Sequence, residues 1–214
     1  MRGNVLHISR GEALDFVLPR HYSGRAPQIT KAFGWYINDQ LVAVCTFGKP
    51  ASNNLCFGIA GHEYAPAVFE LNRLCRIDGL EEPLSAFVSA CLRRLRNENW
   101  IVVSYADSEM NHNGYIYQAC NFLYTGKTKE RTDKYTPGNK HSRHAKEEDQ
   151  GTLRKVRSAK HRYIYFCSYN KKLIKQWRSA LRYEVMPYPK GENKNYILGQ
   201  YLQPKVINTM EATQ

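Results

Sequence analysis

Two places in the chain bring together side chains that could move a proton. At His21-Tyr22-Ser23, an imidazole, a phenol and a hydroxyl follow one another where a helical pattern ends and Gly24 marks a turn. Asp107 closes the run WIVVSYAD, an otherwise apolar segment of the kind that forms a strand buried on both faces. A carboxylate at the C-terminal end of such a strand lies where open α/β sheets place their ligands, which favours a functional reading over a packing one. For His21 and Tyr22 the plainer alternative is a helix end capped by the imidazole, with the phenol packed beneath it. Imidazole plus carboxylate is also part of a common ligand set, so His21 and Asp107 together could hold a metal ion such as iron.

The elements that must position these groups follow from hydrophobic periodicity. VLHIS reads as a strand and RGEALDFVLPRHY as an amphipathic helix closed by Pro19; AFGWYI and LVAVCTFG read as two strands around an NDQ turn. VFELNRLCRI alternates as a strand does, LSAFVSACLRRLRN is helical, WIVVSYAD is a strand, and NGYIYQACNFLY is helical. Past Tyr124 a polar, densely charged segment, expected to be partly mobile, precedes a strand RYIYFC and a helix KKLIKQWRSAL. An antiparallel front half followed by a βαβα back half is the outline of the GNAT acyltransferase fold. The expected architecture is therefore α/β, a mixed central sheet flanked by helices with a basic C-terminal extension. Residues 1–126 form the catalytic core in this reading, 127–185 a basic segment that completes the sheet and binds DNA, and 186–214 a tail.

With 214 residues, 43% of them hydrophobic, the chain can bury one proper core. No stretch approaches the roughly 18 apolar residues of a membrane helix, and the N-terminus lacks the apolar run of a signal peptide. A soluble protein that stays where it is made is expected. The six cysteines are scattered without metal-finger spacing and read as reduced core residues. Charge is unevenly placed: residues 1–125 carry 11 Lys+Arg and 11 Asp+Glu, whereas residues 126–214 carry 20 and 8, the full net +12. Such asymmetry, with aromatics interleaved, points to a polyanion surface. Lys140, Arg143, Arg154, Lys155, Arg157, Lys160, His161 and Arg162 form the set expected to meet DNA phosphates. The run from Lys171 to Arg182 serves equally well as a solvated helix face.

Four segments, RHYSGR (20–25), ELNRLCRI (70–77), VVSYADSEMNHNGYIYQACNFLYTG (102–126) and KHRYIYF (160–166), together resemble the phage Mom family of adenine-modifying proteins. The resemblance implies a transferase that places a carbamoylmethyl-type group on the exocyclic amine of adenine in double-stranded DNA, shielding phage DNA from restriction. It also implies an active site at His21, Tyr22, Asp107 and Tyr117. That amine is a poor nucleophile, so a base must take its proton as the new bond forms. Asp107 is the expected base, with His21 sharing the role or orienting the donor carbonyl. Tyr22 and Tyr117 would stack on a flipped base or donate hydrogen bonds to developing charge. Ser23, Ser104, Asn113 and Asn121 are candidates for positioning donor or substrate, although helix capping or loop hydrogen bonding explains the last three equally well.

One departure concerns the donor. GNAT enzymes cradle the coenzyme A pyrophosphate in a glycine-rich turn, whereas the corresponding stretch here, Ile77 to Ser85, holds one glycine, three acids and Pro83. Acyl-CoA therefore has a rival in glycyl-tRNA, because the family's product carries a methylene on the adenine nitrogen that acetyl transfer alone cannot give. Expected partners are double-stranded DNA, an aminoacyl-tRNA and a second copy of the chain in a homodimer. Competing readings are an ordinary acetyltransferase acting on a small molecule or protein, and a DNA-binding protein without catalysis.

Overall fold

The computed structural model describes residues 2–135, 153–191, 203 and 205–208, so Lys140 and Arg143 lie outside the described residues. The front half runs β1 (Asn4–His7), α1 (Arg10–Val17), β2 (Lys31–Ile37) and β3 (Gln40–Gly48). A capping box starts α1: Ser9 Oγ accepts from the Glu12 amide at 3.1 Å while the Glu12 carboxylate accepts from the Ser9 amide. The β2–β3 turn puts Asn38 and Asp39 at φ 49° and 60°, the left-handed pair that a tight hairpin demands and that Asn and Asp tolerate.

Next come α2 (Asn53–Ala60), β4 (Val68–Arg76), α3 (Leu84–Leu95), β5 (Trp100–Asp107), α4 (Tyr115–Ala119) and β6 (Leu123–Lys127). Then follow β7 (Arg131–Lys134), β8 (Leu153–Arg157), β9 (Lys160–Cys167), α5 (Lys171–Ala180) and β10 (Val206–Asn208). Among the described residues, a seven-stranded sheet has the order β1-β2-β3-β4-β5-β9-β6. Its β4–β5 pair is parallel and its remaining pairs are antiparallel. A second, three-stranded sheet has the order β10-β8-β7.

Helices cover both faces of the large sheet. On one, α3 turns Phe87, Val88, Cys91, Leu92 and Leu95, at helical spacing, onto Trp35, Phe47, Trp100 and Phe122. Each such aliphatic or phenyl side chain, fully buried, contributes roughly 1.5–3 kcal/mol. On the other face, Ile59 of α2 and Trp177 of α5 pack on Ile101, Val103 and Ile164. All six cysteines are reduced and buried.

The opening that matters lies between the parallel strands. β4 and β5 pair only from Val68↔Ile101 to Leu71↔Ser104 and then part. A bulge on the β3 side of β4 begins at the same point: Leu71 opposes Phe47 and Arg73 opposes Thr46, leaving Asn72 as an extra residue. Asn72 is pinned there by Thr46 Oγ1, which donates to its Oδ1 at 2.6 Å, and by its own Nδ2, which donates to the Gln28 carbonyl at 2.7 Å. Where the ladder stops, Ser104 Oγ donates to the Leu71 carbonyl at 3.0 Å.

Several elements differ from the sequence expectation. α4 ends at Ala119, Asn121 turns the chain at φ 60°, and the residues after it form strand β6 rather than more helix. α2 lies between the strands LVAVCTFG and VFELNRLCRI, where the sequence pattern gave no element. β7 and β8 fall in the segment expected to be loose; RTDK and LRKVR carry no apolar face, so no alternation announced them.

Candidate active site

The splay of β4 from β5 opens a cavity of about 420 Å³. One wall is β4 from Glu70 to Arg76, the opposite wall is Tyr105 and Ala106 of β5, α4 supplies Ile116 and Tyr117, and the turn after α1 closes it with His21, Tyr22 and Ser23. His21, Tyr22, Ser23 and Tyr117 are thus brought together, as expected of one site.

His21 is 8% exposed. Its Nδ1 accepts from the Ser23 amide at 3.1 Å and lies 2.9 Å from Ser23 Oγ. An amide can only donate, so Nδ1 carries no proton and Nε2–H is the donor form. Burial, with Arg73, His112 and Lys160 adding repulsion, lowers its pKa to about 2. His21 is therefore a neutral hydrogen-bond donor. Tyr22 stacks on it at 4.3 Å and meets His112 edge-on at 6.0 Å. Burial raises the Tyr22 phenol, with Asp107 and Tyr117 acting in the same sense. Burial also raises the Tyr117 phenol, against an opposing hydrogen bond with Ser104. Both hydroxyls stay protonated.

Asp107 sits elsewhere than its role as a base would require. It is 4% exposed and lines a second cavity, not the one that holds His21 and Tyr117. Oδ1 accepts from Ser158 Oγ at 2.6 Å and from the Glu109 amide at 3.1 Å, and Oδ2 is ion-paired with Lys160. Burial pushes this carboxyl up, but Lys160, Ser158 and the amide outweigh it and hold the pKa below the ordinary carboxylate value. A carboxylate so fully engaged positions Lys160, which lines both cavities, and is a weak base.

One carboxylate that the sequence reading did not single out has the properties of a base. Glu70 faces the larger cavity from β4, and burial raises its pKa to about 7 against the pull of Arg73 and Lys160. A carboxylate poised there can take a proton near neutral pH. One sequence signal was present: Glu70 and Arg73 are charged residues inside a strand of a central sheet, an arrangement that costs free energy unless the groups pair or act. His112, in the loop after β5, gave no such signal.

The remaining expectations divide. Ser104 braces Leu71 and Tyr117 from behind the cavity. Asn113 offers its backbone carbonyl to Gln118 Nε2 at 2.9 Å and to the Tyr163 hydroxyl, and Asn121 makes the turn after α4. Neither asparagine lines either cavity. Among the basic residues, His161 is corrected: it is 3% exposed, 2.9 Å from the Tyr124 hydroxyl, and out of reach of a surface phosphate. Arg162 is tied to Thr125 and lies 3.3 Å over the Tyr183 ring, and Arg154 bonds Thr132. Lys155, Arg157 and Lys160 gather at the second cavity.

His21 and Asp107 open into different cavities, both Asp107 oxygens are engaged, and among the described residues no three His, Cys, Asp or Glu side chains cluster as a metal site. The pair does not fit an iron ion. At the turn between β4 and α3, Gly79 stands alone at φ 71° between Asp78 and the acids Glu81 and Glu82, and Pro83 occupies the N-cap of α3 without a side-chain cap. Three carboxylates and a missing amide do not fit a pyrophosphate.

Among the described residues no helix is long and apolar enough to cross a membrane. In chain path the protein is similar to an N-acetyltransferase from Staphylococcus aureus Mu50, with 10% identity over 78% of this chain and 100% of that chain and a TM-score of 0.49. It is also similar to a Bacillus subtilis acetyltransferase in complex with CoA (12% identity, 77% and 97% covered, TM-score 0.44). A Drosophila melanogaster polyamine N-acetyltransferase compares at 10% identity, 76% and 99% covered, with a TM-score of 0.45. Comparison with curated protein sequences returns no match. A family model, the Mom protein family, matches residues 3–190, and the chain belongs to that family.

Proposed function

We propose that the protein is a transferase that adds a carbamoylmethyl-type group to the exocyclic amine of adenine in double-stranded DNA, in the cytoplasm of a phage's bacterial host. The observation that carries this reading is Glu70: a carboxylate with a pKa of about 7, in a cavity whose other polar groups include the neutral donors His21, Tyr22 and Tyr117. Transfer to a weakly nucleophilic amine needs that pairing, a base for the amine proton and donors for the carbonyl oxygen as it gains charge. Adenine reaches such a cavity only by leaving the helix stack, and Tyr22 offers a ring for it.

The donor that best suits both the acidic turn at Asp78–Pro83 and the product is a glycyl ester of tRNA. The adenine amine attacks the glycyl carbonyl, Glu70 takes its proton, and the tRNA hydroxyl leaves with a proton. The free glycyl amine then attacks the ring carbon through a five-membered spiro intermediate, and the original nitrogen departs as the terminal amide. Glycine labelled with heavy nitrogen, fed to cells expressing the protein, should place its label on the nitrogen bonded to the purine ring. Label found in the terminal amide alone, or full activity with acetyl-CoA and no RNA, would contradict this route.

A further inference from the structure

Beside the larger cavity lies a smaller one of about 210 Å³, and Tyr22, Ser23, Arg73 and Lys160 line both. Its walls come from separate parts of the chain: Arg25 follows α1, Lys155 and Arg157 lie two apart and so share a face of β8, and Lys205 precedes β10. Six cationic side chains and two carboxylates line it, and one of those carboxylates, Asp107, is already paired with Lys160. Asp133 of β7 holds Arg157 Nε at 2.7 Å, which leaves the two terminal nitrogens of that guanidinium outside this bond. Like charges gathered this closely raise the free energy of the fold unless an anion joins them. Burial, with Arg25 and Arg157 acting in the same sense, lowers the Lys155 pKa to about 8 against the opposite pull of Glu109 and Asp133. Arg25 is lowered too, by burial and by Arg157 and Arg73.

We propose that the smaller cavity is a phosphodiester subsite, in which Arg25, Lys155, Arg157 and Lys205 hold the backbone phosphate of the nucleotide whose base enters the larger cavity. The shared walls set one ligand across both spaces, base beside Glu70 and phosphate beside Lys155. Charge-assisted bonds to phosphate then offset the cation crowding, and they deliver the extruded nucleotide in one register. This rests on the reading of the larger cavity as the adenine site, and it adds residues outside the general basic surface, Arg25 and Lys205.

The test compares binding of the dinucleotide dApdA to the full chain with that of its neutral methylphosphonate analogue, by calorimetry. Native protein should bind the charged dinucleotide at least tenfold more tightly. The double variant Arg25→Gln, Lys155→Gln should bind both alike, and Arg25→Lys, Lys155→Arg should restore the preference. Equal binding by the native protein, or a preference that survives in the glutamine variant, would overturn the subsite. Inorganic phosphate competing as effectively as dApdA would overturn it as well, because the cavity would then take a free anion and not a nucleotide's backbone. Failure of the adenine reading shows differently: the charged dinucleotide would keep its advantage when both adenines are replaced by abasic sugars, with no loss of affinity.

Discussion

Replacing Glu70 by Gln keeps the shape of the side chain and removes its basicity. With a pKa of about 7, the carboxyl of the native protein is about half ionised at neutrality, and the rate at limiting substrate should rise with pH through 7 and level off above it. General-base assistance contributes roughly 10²–10⁴-fold, so Glu70→Gln should lose that factor and lose the rising limb with it. Stability should move the other way. A carboxyl raised from 4.5 to about 7 on folding stabilises the protein in acid, and that contribution is lost as pH rises through 7. At about 1.36 kcal/mol per pKa unit the loss is on the order of 3 kcal/mol, which the amide escapes. Single-turnover rates and urea unfolding at pH 5 and pH 8 read both effects. A variant with the native rate and pH profile would refute Glu70 as the base, and a variant no more stable than native at pH 8 would refute the burial argument behind its pKa.

The Tyr117→Phe variant should lose roughly 10²–10³ in rate if the hydroxyl donates to developing charge, and almost nothing if the ring only packs, as turnover of matched enzyme samples would show. His21, with its pKa near 2, should show no protonation between pH 8 and pH 5 in its imidazole NMR signals; a titration near 6.5 would mean that the ring is not held neutral. Asp107→Asn removes one partner of an ion pair in which Asp107 is buried and Lys160 half-buried, at a cost of about 1–3 kcal/mol at pH 7. Because the folded carboxyl is held below its usual value, the native advantage should shrink as pH falls through that range, measured by thermal unfolding across pH.

The strands and helices that build the main sheet were legible because their apolar faces repeat: WIVVSYAD and LSAFVSACLRRL declare themselves. The second sheet was not, because β7 and β8 are paired by backbone bonds and charged side chains and bury no apolar stripe. The same limit applied to the site. His21, Tyr22 and Tyr117 stood out by residue type and resemblance, and the fold gathers them. Asp107 marked the end of its strand correctly but its partners, Ser158 and Lys160, are about fifty residues away, and only the pairing of β5 with β9 brings them to it. Glu70 was hidden by its strand: alternation assigns it a face, while its raised pKa comes from burial among elements that only the folded sheet assembles around it.

Transfer to adenine with Glu70 as the base is tested by mass spectrometry of nucleosides from duplex DNA incubated with purified protein and glycyl-tRNA, run beside the folded Glu70→Gln variant. A new deoxyadenosine species bearing a carbamoylmethyl group should form with the native protein and be nearly absent with the variant. No new species from native protein, or equal amounts from both, would contradict it.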